Sequence, residues 1–126
     1  MNRALKILVA DDASFMRGML IRILKDEGRE IVAEVETGIE AIEFFKKYHP
    51  DVVFMDIIMP ARLGITAIEA VKKILEIDHA ARIVMCSPRG QVSLMQEARD
   101  EGARDELLKP YTIQSVRETL QWVMQK

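Results

Sequence analysis

Cysteine is all but absent. The one residue, Cys86, has no partner for an internal disulfide, and nothing in its flanking sequence would lower its pKa; it reads as a small buried apolar residue. Long hydrophobic runs are missing too. None approaches the roughly 18 residues that cross a bilayer, and the N-terminus lacks the apolar stretch of a signal peptide, so a cytoplasmic protein without membrane contact is expected. There is no Gly/Ser-rich linker, low-complexity tract or internal repeat, so one domain over residues 1–126 is expected. An excess of either charge is also lacking. Lys and Arg number 18 against 20 Asp and Glu, interleaved to a formal net charge of -2, which leaves no basic stripe for nucleic acid. His49 and His79 stand far apart with no metal-ligand spacing.

What is present is a core. Apolar residues make up 49% of a 126-residue chain, enough for an ordinary interior without disulfide or metal staples. Three runs, 7–10 (ILVA), 52–55 (VVFM) and 82–86 (RIVMC), are largely apolar without alternation, the pattern of parallel strands covered on both faces. Residues 30–36 (EIVAEVE) and 105–109 (DELLK) are weaker and suit edge strands. Between them lie helical periods. Ser14 is placed to cap a helix whose Phe15, Met19, Leu20, Ile23 and Leu24 share a face and which ends at Gly28. Further helices are expected over 38–49 before Pro50, over 65–78, over 91–102, and from Thr112 as cap to residue 125. Five strand–helix alternations predict right-handed crossovers and a parallel sheet. The flavodoxin-like order 2-1-3-4-5, a three-layer sandwich with five helices, is favoured because the first turn, ADDASFMR, lacks the G-x-G-x-x-G of a dinucleotide fold.

Such a sheet gathers ligands at the carboxyl ends of its strands. The polar residues that end the runs are Asp11 and Asp12, Asp56, Ser87, and Lys109 ahead of Pro110. Three carboxylates in one crevice repel one another unless a hard divalent cation such as Mg²⁺ sits among them. A carboxylate nucleophile, a metal, an amine and a hydroxyl make up the minimum set for moving a phosphoryl group.

The paired acids after the first strand, MDIIMP after the third, CS after the fourth and LLKPY after the fifth together resemble the receiver domain of two-component response regulators, most of all its stand-alone, chemotaxis-type members. The resemblance covers essentially the whole chain. It implies that Asp56 accepts phosphate from a histidine kinase or a small phosphodonor. It implies also that Asp12 and Asp56 ligate Mg²⁺ directly, Asp11 through water and Ile58 through its carbonyl. Ser87 would then hydrogen-bond the phosphoryl group and Lys109 pair with one of its oxygens. The expected output is a downstream protein bound by the face of the fourth helix, fifth strand and fifth helix, with the chain itself a monomer and not an enzyme beyond self-catalysed phosphoryl transfer to Asp56 and autodephosphorylation.

Three positions depart from the receiver pattern. Glu106, three residues before Lys109, stands where an aromatic switch residue is usual, and an ionised Glu is expected to stay at the surface. Pro88 and Arg89 follow the hydroxyl. Pro88 stiffens that loop and removes an N–H; Arg89 and Ile58 hold the positions that tune water access to an acyl phosphate. Leu63 precedes Gly64 where Asp or Asn is common. The competing reading is a receiver-fold interaction module that acts without phosphorylation. A hydrolase working through an aspartyl phosphate is disfavoured, because Ile58 occupies the place of the second acid such chemistry wants.

Overall fold

A computed structural model describes residues 4–125; residues 1–3 and 126 of the expected domain lie outside the described residues. Strands and helices alternate along the chain: β1 (Lys6–Ala10), α1 (Ser14–Asp26), β2 (Glu30–Val35), α2 (Gly38–Tyr48), β3 (Val52–Asp56), a 3₁₀ turn (Arg62–Gly64), α3 (Ala67–Ile77), β4 (Ile83–Ser87), α4 (Val92–Asp100), β5 (Asp105–Leu108) and α5 (Ile113–Met124). The five strands form one parallel sheet in the order β2-β1-β3-β4-β5. The expected architecture is therefore present, with the two weakest strand patterns at the edges. At one edge the β1–β2 register slips by a residue at Val32, between the Ile7–Ile31 and Leu8–Ala33 pairs.

The apolar runs do not alternate because each parity of side chain has its own cover. Leu8, Ala10, Val53, Met55, Ile83 and Met85 pack with Phe45 of α2, Val71 and Ile74 of α3 and Met95 of α4. Ile7, Val9, Val52, Phe54, Val84 and Cys86 face the other way, onto Leu20 and Leu24 of α1 and Val116, Leu120 and Val123 of α5. Asp56 continues the parity of Phe54, so the strand carries its carboxylate out at the end of a fully buried row. Among the described residues, no helix is long and apolar enough to cross a membrane.

Two details of α1 differ from expectation. Ser14 already lies inside the first turn; the cap is Ala13, whose side chain makes no capping bond, and its N–H instead donates to Asp11 Oδ1 at 2.9 Å. The carboxylate of Asp11 thus takes over local organisation from the hydroxyl. Phe15 is 76% exposed rather than on the buried face, which is formed by Leu20, Ile21 and Leu24. Thr112 does cap α5, in a reciprocal arrangement with Ser115. The α2 and α3 caps, Thr37 and Thr66, accept from Glu40 and Glu69 N–H, bonds the periodicity had not singled out.

Candidate functional site

The sheet order sets β1 and β3 side by side at its centre, so the residues leaving both strands share one crevice. Asp11 follows β1 and its N–H donates to the Val35 carbonyl at 3.0 Å, which fixes the direction in which the loop departs. Asp56 closes β3 opposite Cys86 of β4. Carboxylate oxygens of Asp11, Asp12 and Asp56 all lie within 4.8 Å of one another. Asp11 and Asp56 are buried, whereas Asp12 is exposed at the mouth.

Lys109 arrives from the far side, one residue past β5. Its backbone N–H donates to the Ser87 carbonyl at 2.9 Å, and its ammonium lies 2.8 Å from Asp11 Oδ2 and 3.3 Å from Asp56 Oδ2. One amine therefore spans two of the three acids. Burial pulls the Lys109 pKa down, but the bond to Asp11 and the charges of Asp56 and Asp11 outweigh it and hold the ammonium above its ordinary value. For Asp56 the balance falls the other way. Burial, then the Asp11 charge, raise its pKa to about 6 against the opposing pull of Lys109 and the Ile58 N–H. That N–H reaches Asp56 Oδ1 at 3.3 Å, so the Ile58 backbone runs along the edge of the acid cluster.

Ser87, the last residue of β4, is buried, and its hydroxyl donates to the Pro88 carbonyl at 3.0 Å. The sequence-predicted residues Asp11, Asp12, Asp56, Ile58, Ser87 and Lys109 thus all sit at the carboxyl ends of the strands. Glu106 keeps partly to the surface, yet it is not free: Arg99 of α4 donates to its carboxylate. Cys86 is buried, and burial pushes its thiol up to about 12, so it is inert at neutral pH.

Arg17 was missed from sequence. From α1 it donates to the Asp11 carbonyl at 2.7 Å and to Glu34 of β2 at 2.9 Å, pinning the acid-bearing loop to the sheet edge. A usable signal existed: a cation in the first turns of a helix opposes the macrodipole and needs a local anion or carbonyl to justify it.

The chemistry open to this arrangement is narrow. The oxygens suit a hard cation of the Mg²⁺ type, since three carboxylates converge and a backbone carbonyl stands two residues beyond Asp56. Of the two other polar groups, the Lys109 amine contacts Asp56, whereas the Ser87 hydroxyl is engaged by the Pro88 carbonyl.

Comparison with known proteins places the chain in a family. Residues 7–121 match the response regulator receiver domain. The chain is 46% identical over 115 residues to the chemotaxis protein CheY of Bacillus subtilis, covering 91% of this chain and 93% of that one. It is 43% identical to CheY of Thermotoga maritima at the same coverages. Among solved structures, the response regulator domain of Thermotoga maritima CheB superimposes with a TM-score of 0.82 at 32% identity, over 98% of this chain and 96% of that one. The CheX–CheY–BeF3–Mg complex from Borrelia burgdorferi gives a TM-score of 0.82 at 30% identity, over 96% and 87% of the two chains.

Proposed function

Because the chain belongs to the response regulator receiver domain family and is CheY-like, we propose that it works as a phosphorylation-controlled switch of the chemotaxis type, with Asp56 as the phosphoacceptor. The observation that carries the proposal is the Lys109 ammonium between Asp11 and Asp56, joining the last strand of the sheet to the first and third. Receiver domains are signalling modules that bind Mg²⁺ at an acidic pocket. In this chain Asp12, Asp56 and the Ile58 carbonyl would hold the ion directly and Asp11 through water. When bound, Mg²⁺ supplies charge neutralisation for the phosphoryl oxygens and relief of the carboxylate repulsion.

The rest falls to the protein's own groups. With a pKa of about 6, Asp56 is mostly ionised at neutral pH and can attack phosphorus. An Asp56 oxygen forms a bond to the phosphorus of a histidine kinase's phosphohistidine, or of a small phosphodonor, as the donor's bond to phosphorus breaks and the leaving group keeps that electron pair. Lys109 exchanges its contact with Asp56 for a phosphoryl oxygen while retaining Asp11. Ser87 turns its hydroxyl from the Pro88 carbonyl towards the phosphoryl group. No acid stands at position 58 to activate water, which favours slow spontaneous hydrolysis of the acyl phosphate and disfavours turnover of an external substrate. Readout falls to the α4–β5–α5 face, where Val92, Leu108 and Ile113 are exposed large apolar residues suited to a protein target. In this reading residues 1–126 form one receiver domain that acts in the cytoplasm as a monomer, with no nucleic acid or membrane partner.

Incubation with acetyl phosphate and Mg²⁺, followed by intact mass measurement, tests the assignment. Wild type should gain one phosphoryl group and Asp56→Asn none. An unlabelled wild type would refute the proposal in favour of an interaction module that signals without phosphate.

A further inference from the structure

A receiver whose β5 carries Glu106 lacks an aromatic ring to follow the hydroxyl of Ser87, so the state of the site must reach α4 by other contacts. The groove between β4, β5 and α4 shows which contacts are available. It holds about 120 Å³ and is lined by Ser87, Pro88, Met95, Arg99, Glu106 and Leu108, among others. Ser87, the hydroxyl of the proposed phosphoryl site, is at one part of its wall. At another, the Arg99 guanidinium donates to the Glu106 carboxylate and ties α4 to β5.

The backbone couples these parts. Ser87 pairs in register with Leu108, and the Ser87 carbonyl accepts from Lys109 N–H, so the ends of β4 and β5 are tied to each other. Pro88 stiffens the chain as it leaves Ser87. Helix α4 buries little: of its nine residues only Met95 and Ala98 are buried. The side chains of Arg99 and Glu106 are 49% and 38% exposed, so their attraction is weak and salt-sensitive and opening the pair costs little.

We propose that the Arg99–Glu106 ion pair is a clasp that stands in for the missing ring and transmits the state of Asp56 to α4. This rests on the proposed function. When the Ser87 hydroxyl leaves the Pro88 carbonyl, the groove changes shape on the Ser87–Leu108 side. With no ring to take up the change, α4 adjusts by shifting Arg99 against Glu106. The shift alters the charge pattern beside Val92 and Leu108 on the exposed face.

The test uses the isotope-labelled full chain, with Mg²⁺ and beryllium fluoride as a stable phosphoryl mimic. Amides of Ile57 and Ile58 report occupancy of the site. Guanidinium resonances of Arg99, assigned by their loss in Arg99→Lys, report the clasp. Saturation should move the Arg99 resonances together with the α4 amides. In Glu106→Gln the α4 response should fall to about half or less while that at Ile57 and Ile58 is kept. The charge-exchanged double variant, Arg99→Glu with Glu106→Arg, should restore it. A response at Ile57 and Ile58 with Arg99 unmoved, or a full α4 response in Glu106→Gln, overturns the inference alone. No response at Ile57 and Ile58 overturns the proposed function, and the clasp with it.

Discussion

Replacing Asp56 by Asn should stabilise the protein when divalent cations are chelated. The carboxylate is 5% exposed, its neighbour Asp11 is a second buried acid, and together they raise its pKa from 3.8 to about 6. A folded-state pKa above the unfolded one means that the folded protein holds its proton more tightly. The stability due to Asp56 is therefore fully present below about pH 3.8 and is lost as pH rises through about 6. The loss at neutral pH corresponds to about 3 kcal/mol. Asn keeps a side-chain oxygen for Lys109 and the Ile58 N–H but never ionises, so it should recover up to that amount. Urea unfolding followed by Trp122 fluorescence in chelator at pH 7.5 measures the gain, and the same comparison near pH 4 should show most of it gone. Added Mg²⁺ should stabilise wild type and leave Asp56→Asn little changed. An Asn variant no more stable than wild type at pH 7.5, or a gain that does not decay on acidification, would refute the electrostatic account.

Two further substitutions probe the same framework. Lys109→Met removes the cation that competes for Asp11 and Asp56, so Mg²⁺ affinity measured by titration calorimetry should rise by about ten-fold or more, with lower stability in chelator; an unchanged affinity would show that the amine does not share the carboxylates' field. Gly102→Ala places a methyl group 2.6 Å from Leu75 Cδ1 at a residue whose φ is +113°, which should cost about 2 kcal/mol in urea unfolding. Combination with Leu75→Ala should relieve the clash but not the backbone strain, and additive losses would show that no clash exists.

The sequence carried most of the fold because both of its signals were local. Unbroken apolar runs marked strands covered on two faces, and polar residues at their ends marked the crevice. Asp11, Asp12, Asp56, Ser87 and Lys109 were visible for the same reason, each ending a run. What the sequence hid depends on direction rather than position. The Ser14 hydroxyl looks like a cap until Asp11 Oδ1 is seen holding the Ala13 N–H, and Phe15 fits the apolar period although its side chain stands exposed. Arg17 reaches a backbone carbonyl six residues back, and Glu106 meets Arg99 seven residues back, across the turn from α4 to β5. Neither pairing follows from periodicity, since each depends on where a long side chain points after its element has packed.

The Lys109–Asp11 bond also bears on when the protein becomes competent during synthesis. It joins residues 98 positions apart, and Lys109 follows the last strand to be made. A chain still emerging from the ribosome holds Asp11, Asp12 and Asp56 but not the ammonium that reconciles the two buried ones. Sequence-distant pairings form late because loop closure must precede them. The carboxylate–lysine cluster is thus completed together with the sheet, and, on the proposed function, a half-made chain would offer a kinase no finished pocket in which to leave its phosphoryl group.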